Sequence, residues 1–130
     1  MDLNQFAIGL LNPVDGTAGV NVSFGVDGQT TLYTVPIGKR AVIFAVAIVP
    51  GADAGTTTVS IGQVGALTDF VPVNTLSNLD AQYDVIWLMP IPNTTPLKGK
   101  SYAAGTVIQA DVGAHAGGTT NAFFVFGFLY

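Results

Sequence analysis

Asp80 and Asp84, four positions apart in "DAQYD", and His115, the single histidine, are the side chains of this sequence best suited to acid/base chemistry. Paired carboxylates hydrolyse glycosidic bonds when their separation suits a retaining or an inverting mechanism. In an extended chain, four residues at ~3.3 Å each place the two α-carbons ~13 Å apart, too far for either unless the chain turns between them. All eight acidic residues are aspartates, so no glutamate supplies a second pair. His115 lies in "GAHAGG" near Asp111, where a lone histidine reads as a solvated loop residue rather than a base or a metal ligand. "TTPLKGKS" ends like a phosphate-binding loop, but Thr94 replaces its first glycine, Pro96 stiffens it, and no helical pattern follows. "NVSFG" and "TVSIG" each lack the first glycine of a nucleophile elbow. With no cysteine, thiolate chemistry and disulfides are absent. The expectation is no catalytic, cofactor-binding or metal site, and a protein that is not an enzyme.

Binding chemistry leaves more open. Tyr83, Trp87 and Tyr102 could stack on a sugar, although aromatics at strand spacing read first as core. Four basic residues against eight acidic ones, a net charge of −4, provide no basic face for nucleic acid. The longest apolar run, "AVIFAVAIV" at 41–49, is about half of the roughly 20 residues a helix needs to cross a bilayer, so no membrane partner is expected. The beginning, "MDLNQFAIGLL", has an acidic residue where a secretion signal carries positive charge, so synthesis in the cytoplasm without a signal peptide is expected.

The elements that would hold these residues are strands. Hydrophobic residues make up 49% of the chain and charged residues 9%, with 16 Gly and 7 Pro, which excludes disorder and favours strands joined by tight turns. Aspartate without glutamate argues in the same direction, since glutamate suits helix interiors and aspartate suits turns and caps. In "VNVSFGV", Val20, Val22, Phe24 and Val26 alternate with Asn21, Ser23 and Gly25, as in a strand with one buried face. "QFAIGLL", "TTLYTV", "AVIFAVAIV", "TTTVSIGQV", "YDVIWLM", "GTVIQADV" and "NAFFVFGFLY" complete about eight strands, separated by turns such as "PIGK" and "PGADAG". The stretch 66–82 is the least regular and reads as a long connection with a short strand or a helical turn. "VDG" occurs at 14–16 and 26–28 without further similarity, so it marks turns rather than an internal repeat. No linker divides the chain, and residues 1–130 read as a single domain.

Two stretches need a particular account. "YTVPIGKRA" sets Lys39 beside Arg40; Pro36 and Gly38 suit a compact turn, and the basic pair then begins the following strand in water. In "NAFFVFGFLY", Phe124, Phe126, Phe128 and Tyr130 share one face while Phe123, Val125 and Leu129 share the other. Both faces ask for burial, as in a central strand or in a strand whose outer face meets another subunit.

"LYTVPIGKRAVI" resembles the Tyr-Thr-Val-Pro-x-Gly-Lys-x-Ala corner of small β-sandwich virion proteins of tailed bacteriophages. "YAAGTVIQADVGAHAGGTTNAFFVFGFLY" is similar to the closing part of those modules, with Thr106 where an acidic residue is usual. Together they cover about a third of the chain. The resemblance implies an all-β, antiparallel, jelly-roll-like β-sandwich, commonly trimeric, on the capsid surface of the virion or in its tail. On that basis the expected function is that of a capsid decoration (cement) protein, whose partners are the major capsid protein and further copies of itself. The alternatives are a tail-fibre head that recognises host glycan, and a free carbohydrate-binding or sugar-active protein. Phe124, Phe126, Phe128 and Tyr130 are the candidate subunit interface. Asp2, Asn4, Lys39 and Arg40 are candidate capsid contacts, the first two within a possible N-terminal arm at 1–5.

Overall fold

The computed structural model describes residues 9–10, 13–14, 17–82, 84–90, 99–113 and 120–130. Twelve strands run through them: β1 (Gly9–Leu10), β2 (Pro13–Val14), β3 (Thr17–Ala18), β4 (Val20–Ser23), β5 (Gly28–Thr34), β6 (Ala41–Val49), β7 (Thr58–Gln63), β8 (Ala66–Thr75), β9 (Ile86–Leu88), β10 (Lys100–Tyr102), β11 (Val107–Gly113) and β12 (Thr120–Leu129). No helix is present among the described residues.

The strands form two antiparallel sheets and a small hairpin, β2–β3. In the larger sheet β12 lies between β6 and an edge shared by β1 and β4, and the far side of β6 is shared by β9 and β10. The smaller sheet has the order β5-β11-β7-β8. Each sheet is thus four strands wide; from β4 to β12 the chain crosses between the sheets except at β7–β8, which stay in the smaller sheet, and at β9–β10, which share one position in the larger, the jelly-roll manner. The expected count of eight holds in this sense, but the membership differs. Residues 66–75, expected to be mostly connection, form the long edge strand β8, and within "QFAIGLL" the described residues Gly9–Leu10 form β1. Pro72 is tolerated in β8 because an edge strand need not donate on its free side.

The core lies between the sheets. Val22 and Phe24, Ile43, Val46 and Ile48, Ile61, Phe70, Ile108, Phe123 and Val125 are all fully or almost fully buried there, and Phe24 meets Phe123 edge to face at 6.0 Å. One expectation fails in this region. β4 ends at Ser23, whose hydroxyl accepts from the Gly25 N–H, so the chain bends and Val26 is 69% exposed instead of buried with Val22. Asn121 is buried with both amide groups engaged: its Oδ1 accepts from the Gly51 N–H and its Nδ2 donates to the Val22 carbonyl.

A polar clip joins the sheet edges. The Asp69 carboxylate on β8 accepts from the Tyr102 hydroxyl at 2.9 Å and from the Gln63 side-chain amide at 2.6 Å, with Lys100 Nζ at 3.9 Å. Burial, reinforced by the Asp69 carboxylate, pushes the Tyr102 phenol far above its ordinary range. Native Tyr102 therefore keeps its proton at a pH where an unfolded tyrosine, of pKa about 10, has lost it. The folded state then binds more protons than the unfolded one, so this contribution to stability is complete below about pH 10 and falls as pH rises beyond it. An ultraviolet titration should show Tyr130 ionising first and Tyr102 only as the protein unfolds. Tyr102→Phe should lower stability by about 1.5–3 kcal/mol at neutral pH and make the alkaline loss shallower.

Candidate functional site

The outward surfaces of the two sheets differ in chemistry. On the smaller sheet, Gln29 on β5 donates to Asp111 on β11 at 3.1 Å, and Gln109 donates to Thr31 at 3.3 Å. These cross-strand polar pairs belong on a face that meets water. On the larger sheet the same position is aromatic. Phe123 and Val125 point into the core, so strand alternation sends Phe124, Phe126 and Phe128 outward, where they are half-buried. Phe126 lies 5.1 Å from the ring of Trp87 on β9, and Phe128 lies 5.8 Å from Phe44 and 6.0 Å from Tyr130. Trp87 remains 55% exposed.

The backbone explains how one strand supplies both faces. β12 and β6 pair along Ala122–Leu129, with a bulge at Phe44 between the Phe126–Ala45 and Gly127–Ile43 pairs. Ala45 and Ala47 stand opposite Phe126 and Phe124. With these small cross-strand neighbours, the half-buried Phe124, Phe126 and Phe128 form an apolar stripe along the outward face of β12.

The corner at 36–40 has the expected form. The Lys39 N–H donates to the Pro36 carbonyl at 3.2 Å, and Gly38 takes φ +80°, the conformation that a type II turn requires at its third position. Lys39 and Arg40 are exposed. Arg40 and Tyr130 exchange backbone hydrogen bonds at 2.8 and 3.0 Å, which extends the β6–β12 ladder and brings together one candidate from each predicted set. The Ser101 hydroxyl, with the Arg40 guanidinium, holds the Tyr130 phenol below its ordinary range. Asp2, Asn4 and His115 lie outside the described residues, as does Tyr83.

Among the described residues, the side chains weighed for catalysis have structural roles. A turn does form at Ala81–Asp84, but the Asp84 carboxylate accepts the Ala81 N–H at 3.0 Å and the Asp84 N–H donates to the Ala81 carbonyl, so the residue holds its own turn. Ser60 sits within β7, fully buried, and Ser23 closes a bend. Lys100 and Ser101 lead into a strand, not a helix. Among the described residues no cluster of three metal-ligating side chains occurs. A shallow depression lined by Asp27, Gln29, Thr58, Val73 and Asp111 belongs to the smaller sheet, whereas exposed Trp87 is on the larger one. Tyr102 is buried in the core. Among the described residues, therefore, Trp87 and Tyr102 do not converge with the polar groups of that depression.

No protein-family model matches the chain, and no curated protein matches it. Among solved structures, the chain is similar to one described as "Cyanophage Pam1 capsid asymmetric unit", with a TM-score of 0.51 and 12% identity over 95% of this chain and 86% of that one. At that identity the likeness is one of fold.

Proposed function

We propose that this chain is a structural protein of a phage virion, a decoration (cement) protein that binds the assembled capsid shell and stabilises it. The observation that carries the reading is the similarity of fold along 95% of the chain to a chain from a phage capsid asymmetric unit. The phage-like corner "YTVPIGKRA" and its turn geometry support it. No catalytic role is assigned. The mechanism is mechanical: a sandwich clipped at its edges resists deformation, and many copies, each bound weakly across neighbouring shell subunits, hold the shell by avidity. The aromatic stripe Phe124–Phe126–Phe128, with Trp87, is the surface by which copies associate, as a homotrimer in this reading. The major capsid protein is the second partner, and the virion surface is the location.

Electron microscopy of source particles labelled with gold-conjugated antibody to the purified protein tests this. Dense gold over the heads is the expected result. Gold confined to tail tips would replace the reading with the tail-fibre one, and no reaction with intact or denatured particles would end the virion assignment.

A further inference from the structure

Charge is segregated along the sandwich. Strands β5, β7 and β11 place the connections 24–27 and 50–57 at one end, and the β8–β9 connection lies there too. That end holds Asp27, Asp53, Asp80, Asp84 and Asp111 and, among the described residues, neither lysine nor arginine. At or near the opposite end are Lys39, Arg40 and Lys100, where Asp69 offsets only Lys100. The two ends also differ in construction. At the basic end the connections are short and tied together: the Val35 N–H donates to the Thr106 carbonyl, the Gly105 N–H to the Val35 carbonyl, and the Val64 N–H to the Val107 carbonyl. Turns from both edges of the sandwich thereby meet at residues 105–107. They display Ile37, 88% exposed, and Val64, 60% exposed, beside the exposed Ala103 and Ala104. A single exposed aliphatic needs no explanation, but several on adjoining, hydrogen-bonded turns form a preorganised apolar tip with a basic rim.

We propose that this basic end is the docking end, and that it takes an acidic protein surface with a shallow apolar depression for Ile37. The inference rests on the shell-binding reading and adds to it the end that binds and the chemistry of its target. Electrostatics selects the orientation. An acidic target attracts the Lys39 and Arg40 rim and repels the five-aspartate end, so the molecule approaches a shell in one polarity. Two cations flanking an aliphatic tip neutralise too few phosphates to hold nucleic acid, which binds through many such contacts.

The test is co-sedimentation with shells assembled from the major capsid protein alone, using Lys39→Glu, Ile37→Ser, and Asp53→Lys/Asp80→Lys at the opposite end. Thermal melting verifies that each variant is folded. Lys39→Glu and Ile37→Ser should each weaken binding at least about tenfold, and wild-type binding should weaken as salt rises. The opposite-end variant should bind as well as wild type. If wild type binds shells but Lys39→Glu and Ile37→Ser bind equally well, the docking end is wrong while the shell-binding reading stands. If wild type does not bind, both fail. Two other results would also overturn the proposal: a lower self-associated mass for Lys39→Glu in the absence of shells, which assigns the end to a second copy, or DNA binding lost in the same variants.

Discussion

Trp87→Ser/Phe126→Ser should convert an associating protein into a monomer. The two rings lie 5.1 Å apart on the outward face of the larger sheet, beside Phe124 and Phe128. Trp87 gives little to the fold, being 55% exposed, so its apolar area is available to a partner. Aromatic hot spots at the centre of an interface contribute about 2 kcal/mol each, and a combined loss of about 4 kcal/mol weakens association by about 1,000-fold. Sedimentation equilibrium over a range of concentrations measures this. The expected outcome is an oligomeric mass for wild type and a monomeric mass for the variant at the same concentration. Gln109→Ala on the polar face of the other sheet should leave the mass unchanged. A monomeric wild type, or an oligomer that survives both serines, would remove the aromatic stripe as the association surface.

Gly127→Ala should be among the most damaging small substitutions at the described residues. Gly127 is buried and paired with Ile43 beside the Phe44 bulge, and a Cβ there would collide with the Val42 carbonyl, a backbone atom that cannot swing aside. Relief requires β12 to lift from β6, and these are the two central strands of the larger sheet. Overpacking costs about 1–3 kcal/mol where side chains can yield, so about 3 kcal/mol or more is expected here, which lowers the melting temperature by about 10 °C. Chemical denaturation of Gly127→Ala against Gln109→Ala decides it, since the half-buried control, which loses one cross-strand hydrogen bond to Thr31, should move stability by about 1 kcal/mol or less. If Gly127→Ala is as stable as the control, the tight β6–β12 contact is not as described.

The strongly patterned strands were legible without coordinates. "AVIFAVAIV" reads as a strand and becomes one of the two central strands of the larger sheet, and the alternation in "NAFFVFGFLY" separates the core-facing Phe123 and Val125 from the outward phenylalanines. The Pro36–Lys39 turn follows from its residue types. β8 escaped because its signals conflict. Pro72 and Asp69 interrupt the run, bulges set Phe70 and Val71 side by side in the core, and the partner that makes Asp69 tolerable, Tyr102, is 33 residues away on the other sheet. Val26 was misread because the alternation continues past the point where Ser23 bends the backbone.

What the sequence determined by itself is local: strand identity, turn chemistry, and the presence of one strand with two apolar faces. Each depends on residue type and a period of two, which neighbours in the chain already express. Tertiary structure alone decided which of those faces lies outside. Only the stacking of the second sheet on Phe123 and Val125 leaves Phe124, Phe126 and Phe128 turned away from the core. It alone also gathered the aspartates at one end and the basic pair with Ile37 at the other, because residues far apart in sequence share an end only once antiparallel pairing has fixed where each strand begins and stops.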